Sequence, residues 1–284
     1  MENYLSPTND YVFKRIFGGK IWVLEDFLKS VLDLPAEDYK GLTVVDPNLD
    51  LDYIDGKLGI LDVKVHTGSG KVIDIEMQVK PQRSIWQRML FYTSKMVVEQ
   101  LKTGYEYSWL NRVISILIVD FVMIKENDIN HNRFRLFDQK TMACFPDSIE
   151  INVLEMPKGN NSENAHLNKW MQFFRAKTEE DFMAAALTSP AINEAWGVIK
   201  VLSGDEQERA KAAAREKAQM DLDSMLGDAR YEARQEGRQE GLMEGLITVA
   251  RNLLRTGKPC EEVVDVTGLS FEKVKLLAAE LSSC

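Results

Sequence analysis

The sequence has few of the residues that build disulfide frameworks and zinc sites. Only three of its 284 residues are cysteines, Cys144, Cys260 and Cys284, and no two of them form a Cys-x-x-Cys pair. An odd number of widely separated cysteines argues against a disulfide-stabilised secreted domain and against a zinc ribbon. The three histidines are isolated in the sequence and predict no metal site. A reducing cytoplasm is therefore the expected location.

Long hydrophobic runs are also missing. The longest apolar stretch, residues 113–122, is interrupted by Asp120 and is shorter than the roughly 20 residues that cross a bilayer. The first ten residues show no basic segment followed by an apolar one, so we expect no signal peptide. With 45% hydrophobic residues the chain can bury a large core. We expect a soluble protein that has no membrane partner.

Positive charge is in deficit over the chain as a whole. The formal net charge is -9, which argues against indiscriminate binding of phosphates across the whole surface. One segment departs from this balance, because residues 80–112 carry six lysines and arginines against two glutamates. Any contact with nucleic acid is therefore expected to be local.

The predicted elements follow the order helices, strands, helix, strands, helices, which indicates an α/β core. Two short helices are expected before Pro35, the first capped at Thr8 or Asn9. The other elements predicted before Pro157 are a helix over residues 84–102 with Ser84 as N-cap and Gly104 as its stop, a buried central strand over 112–122, and strands over 133–138 and 149–156. The chain is expected to be helical after Pro157.

The stretch IDIEMQVK, residues 73–80, alternates apolar and polar side chains with the period of a strand. Glu76 and Gln78 therefore point to the same face. A carboxylate followed two residues later by a cationic or hydrogen-bonding side chain is the pattern that a metal-dependent nuclease needs. In this strand the second position is occupied by the amide side chain of Gln78.

A hairpin is predicted from residues 58–66 and 72–80. A three-residue loop, 68–70, with one glycine in the left-handed region pairs Thr67 with Lys71. The same register sets Asp62 opposite Glu76, with their Cβ atoms about 5 Å apart. Two carboxylates at that spacing are predicted to hold one divalent cation.

The composition changes at residue 205 to alanine, glutamate, glutamine, arginine and lysine. Residues 233–245 contain an EGxx repeat that aligns Gly237, Gly241 and Gly245 along one helical stripe. Each helical glycine costs about 1 kcal/mol relative to alanine, so we expect this stripe to pack against a partner helix in a homo-oligomer.

The C-terminal end predicts a small helix-turn-helix whose last helix is capped by Ser270. Because that helix carries two lysines and two glutamates among many apolar residues, packing or self-association is favoured over the reading of DNA. The predicted organisation has three parts: a nuclease-like domain over 1–204, a linker helix with the EGxx repeat over 205–245, and a helical tail over 246–284.

Several segments together resemble one known family. LDVKVHTGSGKVIDIEMQ is preceded by NDYVFKRIFG and followed by RMLFYTSKMVVEQLKTGYEY, RVISILIVDF and IEINVLEMPK. Over nearly the whole chain this combination resembles the Rpn recombination-promoting nucleases, also described as transposases of the PD-(D/E)XK nuclease family. The resemblance implies a restriction-endonuclease-like α/β fold, with a mixed-sheet core, flanking helices and an α-helical C-terminal extension. It also implies a magnesium-dependent DNA endonuclease.

The resemblance assigns roles to individual residues. Asp62 and Glu76 match the two acidic positions, and Gln78 stands where the wider superfamily usually has lysine. Asp62, Glu76 and the Met77 carbonyl are implied ligands of Mg²⁺, with Mn²⁺ or Ca²⁺ as substitutes, and Gln78 is implied to orient the attacking water. Residues implied as DNA-contacting or auxiliary are Asp10, Lys64, Lys80, Arg88, Tyr92, Lys95 and Gln100.

Simpler interpretations stand beside these assignments. Asp62 and Glu76 are also what the solvated face of an edge hairpin would carry, and Tyr92 is equally compatible with core packing. The basic stripe of Arg88, Lys95 and Lys102 is also typical of a solvated helix face. The alternative function is a catalytically inactive nuclease-like scaffold that oligomerises and binds a partner. The sequence leaves open a role in recombination, in mobile elements or in phage defence.

Overall fold

The computed structural model describes residues 4–45, 63–101, 104, 106–145, 149–159, 161, 163–187 and 189–282, without the side chains of 222, 223, 226, 230 and 282. The chain divides into two compact units, residues 1–216 and 217–284. Asp62, the first predicted metal ligand, lies outside the described residues, as does Lys102 of the predicted basic stripe.

The first unit is built on a mixed sheet of six described strands in the order β1-β2-β3-β4-β6-β5. The strands are β1 (Thr43–Val45), β2 (Val63–His66), β3 (Val72–Gln78), β4 (Val113–Val119), β5 (His131–Arg135) and β6 (Ile149–Glu155). β3, β4 and β6 run parallel to one another, whereas β1, β2 and β5 join by antiparallel pairing. The expected mixed-sheet α/β fold is confirmed.

Helices cover both faces of this sheet. Those of the first unit are α1 (Asp10–Gly19), α2 (Ile21–Val31), α3 (Ala36–Tyr39), α4 (Ile85–Glu99), α5 (Ala165–Arg175), α6 (Glu179–Ala186), α7 (Pro190–Gly204) and the start of α8 (Glu206–Arg255). The main core joins one face of the sheet to α1, α2 and α5–α7, with Trp170, Phe17 and Phe174 at its centre. α4 packs on the other face through smaller clusters that contain Ile85, Met89 and Met96.

The hairpin that carries the predicted site follows the predicted register. The Thr67 amide donates to the Lys71 carbonyl at 3.0 Å, and the pairs continue to Val63 opposite Ile75. Gly70 has φ of +90°, the conformation expected of a glycine in this loop. A Cβ on Gly68 would stand 2.0 Å from the Lys40 carbonyl oxygen, so only glycine fits where the hairpin loop meets α3.

The second unit contains the rest of α8, α9 (Cys260–Thr267) and α10 (Phe271–Ser282). Its core is a small cluster of Ala250, Val263, Leu269, Val274 and Leu277. α9 and α10, joined by a short turn, lie where the helix-turn-helix was predicted, and the Ser270 carbonyl accepts from the Val274 amide at the start of α10. No helix within the described ranges is both long and apolar enough to span a membrane.

Some boundaries differ from the predicted ones. α4 ends at Glu99 rather than at residue 102, and its N-cap Ser84 makes no side-chain capping bond. β5 begins at His131, two residues early, and the short β1 had no prediction at all. For Glu76 the interpretation as part of a solvated edge is wrong, because β4 pairs with β3 and the side chain is buried. β3 is an interior strand, and its acidic residues face α4 instead of water.

Candidate active site

The candidate site lies on the sheet face that α4 covers. Asp74, Glu76 and Gln78 alternate along β3 and share this face, as the strand period requires. Lys64 of β2 and Ser115 of β4 both stand opposite Asp74 in the sheet register. Parallel pairing with the buried strand β4 therefore fixes the height of each acidic side chain beneath the helix.

Asp74 and Glu76 are both buried, with 3% and 8% of their surface exposed. Burial raises the pKa of Asp74 well above its usual value, and the neighbouring charge of Glu76 raises it further. Burial also raises the pKa of Glu76, although Arg88 partly offsets this effect. Two carboxyl groups in one desolvated space are costly as anions unless a cation or a proton compensates them.

Arg88 of α4 is a basic side chain that contacts Glu76 of this pair. Its Nη2 lies 3.5 Å from the Glu76 Oε1, and its Nη1 donates to Gln82 at 3.3 Å. The guanidinium also stacks over the Tyr92 ring, 5.7 Å from the ring centroid. Arg88 and Tyr92 lie three and seven residues into the helix, so one turn of α4 carries both over β3.

A small cavity of about 10 Å³ separates α4 from the sheet at this point, roughly the room that one water molecule or small ion needs. Asp74 and Glu76 line it from β3, and Ser115 lines it from β4. Met89 and Tyr92 close it from the helix. Tyr92 is half-buried and lines this cavity, and its role in the site stays a prediction.

Gln78 and Lys80 lie at the carboxyl end of β3, where the chain leaves the sheet. The Gln78 side-chain amide donates to the Lys80 carbonyl at 3.2 Å, while the Gln78 carbonyl accepts from the Asp120 amide. Gln78 is half-buried and Lys80 is exposed. Met77 directs its side chain to the main core, on the face opposite to Glu76. Its backbone carbonyl, the implied third metal ligand, is part of the sheet.

Two of the implied auxiliary lysines meet at the end of α4. Lys64 Nζ lies 3.2 Å from Glu99, and Lys95 Nζ lies 3.6 Å from the same carboxylate. Lys64 remains on the Asp74 face of the sheet, whereas Lys95 is exposed.

The other two auxiliary residues are engaged within the fold. Asp10 pairs with Lys14 and with Arg215, which fastens the start of α8 to α1. The Gln100 side chain bonds to the backbone of Asn111 in both directions, at 3.0 and 2.8 Å, and so holds the chain that enters β4. The described contacts of these two residues are therefore with the protein itself.

Asp74 is the site residue that the sequence analysis did not single out. It lies two positions before Glu76 in the same alternation, which was the available signal. Thr93, which is fully buried and hydrogen-bonds to Ser115 at 2.7 Å, also had no signal in the sequence. Among the residues that the structure describes, which exclude Asp62, no group of three or more His, Cys, Asp and Glu side chains is placed to hold a metal ion.

The family comparison agrees with this geometry. The model of the PD-(D/E)XK nuclease family transposases matches residues 7–229, which is most of the chain and includes every described residue of the site. The searches of curated proteins and of solved structures found no match. With a mixed sheet flanked by helices and an acidic strand under α4, the chain belongs to the PD-(D/E)XK nuclease family transposases.

Proposed function

We propose that this protein is a metal-dependent DNA endonuclease that hydrolyses phosphodiester bonds in recombination, mobile-element transfer or phage defence. The observation that carries the proposal is the desolvated position of Glu76 and Asp74, on an interior strand of a family-matched nuclease fold. Buried carboxylates with one nearby guanidinium are expensive to keep for stability alone. Binding of a cation would compensate the charge of these carboxylates and would explain why they are buried.

The residues present fit a divalent cation of the magnesium type. Glu76, Asp62 and the Met77 carbonyl would hold it, and all three offer the oxygen ligands that hard cations take. One observation supports this fit. Asp74 Oδ1 is buried and accepts no hydrogen bond from the described residues, so the space beside Glu76 favours positive charge. When bound, such a cation would stabilise charge on the phosphate and make water more acidic. We propose Mg²⁺ as the natural ion, with Mn²⁺ or Ca²⁺ as substitutes.

Gln78 would orient the attacking water, since an amide can hydrogen-bond to water but cannot carry charge. The positive charge that lysine would supply at this position must then come from another side chain. Arg88 is the best placed, because its guanidinium already lies 3.5 Å from Glu76. Lys64 and Lys80 are the other candidates, on the Asp74 face and at the end of β3.

Cleavage of supercoiled DNA in the presence of Mg²⁺, Mn²⁺ or Ca²⁺ tests the proposal. We expect the parent to nick the plasmid, and Asp62→Ala and Glu76→Gln to lose nicking while they keep the fold. Glu126→Gln changes an exposed carboxylate outside the site and is expected to cleave like the parent. Equal cleavage by the parent and both site variants would reject the assignment.

One observation favours the alternative of an inactive scaffold. Gln78 is uncharged, and its amide is already bonded to the Lys80 carbonyl. A scaffold that has lost its site would show no binding of Mg²⁺ or Mn²⁺ that depends on Asp62 or Glu76, and calorimetric titration separates the two functions on this point.

We also propose a homo-oligomer formed through the C-terminal helices. Gly237, Gly241 and Gly245 lie within α8, and a Cβ added to any of them would find no described atom within 4 Å. The stripe is therefore open to a second helix. Cytoplasmic action is our further proposal, since Cys144 and Cys260 are free thiols.

A further inference from the structure

Asp74 is the most deeply buried acidic group of the candidate site. Only 3% of its surface is exposed, and its Oδ1 has no hydrogen-bond partner among the described residues. The side chain lines the cavity under α4 together with Glu76 and Ser115. An unpartnered carboxylate oxygen in such a place is destabilising, because it has lost its hydrogen bonds to water without replacing them.

The neighbouring hydroxyl groups cannot satisfy this oxygen. Thr93 donates its only hydroxyl hydrogen to the Met89 carbonyl, at 2.7 Å. The Thr93–Ser115 contact, also 2.7 Å, therefore uses the hydrogen of Ser115. Ser115 has no hydrogen left for Asp74 and presents only lone pairs to the cavity.

The positive charges near Asp74 are committed to other carboxylates. Arg88 contacts Glu76 at 3.5 Å, and Lys64, across the strand from Asp74, reaches Glu99 at 3.2 Å. The cavity is thus lined by three oxygen acceptors, from Asp74, Glu76 and Ser115, and no donor among the described residues bonds to Asp74 Oδ1. A cavity of this size and donor chemistry suits a small, hard cation.

We propose that Asp74 is a further ligand of the divalent cation that Glu76 binds, with Oδ1 as the coordinating atom. This inference rests on the proposed function, since it assigns a residue to the same cation. Asp74 would coordinate the cation beside Glu76, from the same strand and the same cavity.

The test measures Mn²⁺ binding to the full chain. Binding is monitored by the electron paramagnetic resonance signal of Mn²⁺ and by calorimetry. The variants are Asp74→Asn, Glu76→Gln and the control Asp128→Asn, which changes an exposed aspartate outside the site. We expect Asp74→Asn to bind Mn²⁺ at least tenfold more weakly than the parent, and Asp128→Asn to bind like the parent. If Asp74→Asn does not fold by circular dichroism, Asp74→Ser replaces it under the same criteria.

Thermal unfolding separates a ligand from a structural residue. Asparagine has the size of aspartate without its charge, so a ligand role predicts that Asp74→Asn is at least as stable as the parent in EDTA and loses the rise in Tm that Mn²⁺ gives the parent. A lower Tm in EDTA, together with unaltered Mn²⁺ affinity, would overturn the proposal.

The same measurements distinguish a failure of the proposed role of Asp74 from a failure of the proposed function. If Asp74→Asn binds Mn²⁺ like the parent while Glu76→Gln does not, the role of Asp74 is rejected and the proposed function stands. If the parent itself binds no Mn²⁺, both are rejected.

Discussion

The contact between Arg88 and Glu76 predicts a measurable coupling between α4 and β3. The Arg88 Nη2 and Glu76 Oε1 atoms are 3.5 Å apart, and the side chains are 24% and 10% exposed. With an effective dielectric constant of about 20, two unit charges at that distance attract by about 5 kcal/mol. Desolvation of both groups and the remaining exposure of Arg88 offset much of this attraction. We therefore expect a net coupling free energy of about 1–3 kcal/mol.

A double-mutant cycle measures this coupling. Arg88→Met keeps most of the apolar stem and removes the charge, and Glu76→Gln keeps the shape of the acid. Urea unfolding in EDTA, followed by tryptophan fluorescence, is the assay. All five tryptophans lie before residue 217, so the signal reports the first unit alone.

The pair of Lys95 and Glu99 on the same helix is the matched reference. Its charged atoms are 3.6 Å apart, almost the same distance, but the side chains are 55% and 45% exposed. Solvent screening should reduce its coupling to about 0.3–0.5 kcal/mol. If the Arg88–Glu76 cycle gives no more than this reference, the desolvated charge pair assigned to the site does not exist in solution.

Three further outcomes follow from the structure. Gly68→Ala should destabilise the first unit by about 2–3 kcal/mol, because the added Cβ meets the Lys40 carbonyl. Gly18→Ala, with open space around it, should be neutral or stabilising by up to about 1 kcal/mol. Equal effects of the two substitutions in urea unfolding would contradict the predicted clash at Gly68. Burial alone would raise the pKa of Asp38, but hydrogen bonds from Lys71, Ser69 and Thr67 together with the Lys71 charge leave it lowered, so its contribution to stability exists above pH 3.8 and is lost as the pH falls through the folded-state pKa. Asp38→Asn should therefore cost about 2–3 kcal/mol at pH 7 and progressively less below pH 4 in urea titrations, and a cost that does not vary with pH would refute the charge assignment. Deletion of residues 228–284 should lower the number of subunits per particle obtained from light scattering if the glycine stripe of α8 joins the subunits, and an unchanged number of subunits would contradict the homo-oligomer.

The register of the site could be predicted because it depends on a local signal. The GSG sequence between two alternating strands selects a short loop, and the observed Thr67–Lys71 pairing follows from it. β4 could be predicted for a similar reason, because a seven-residue run that is β-branched or apolar apart from Ser115 suits a strand that is buried on both faces.

The burial of the acidic residues could not be predicted in the same way. An alternation of Asp74 and Glu76 with isoleucine and methionine looks the same in an edge strand and in an interior strand. The difference arises from long-range pairing, since β1 extends the sheet beyond β2, and from the packing of Met89 and Ile85 on that face. β1 itself has only three residues, too few for a periodic signal.

The sequence could only partly distinguish which polar residues of α4 contact the site and which are exposed to solvent. Helical spacing predicts that Arg88, Tyr92 and Lys95 lie on related faces, but it does not decide which of them reaches the sheet. The structure brings Arg88 and Tyr92 over Glu76 and leaves Lys95 in solvent. Gln100 shows the same limit, because its two bonds to Asn111 connect segments that have no sequence signal in common.

We propose that Asp62 and Glu76 share one divalent cation on the α4 face of the sheet. Anomalous scattering from a crystal of the full chain soaked in Mn²⁺ locates this cation. We expect one strong peak within about 2.0–2.5 Å of carboxylate oxygens from both residues. A well-ordered site with no peak, or with the two carboxyl groups on opposite faces of the sheet, would refute the shared cation.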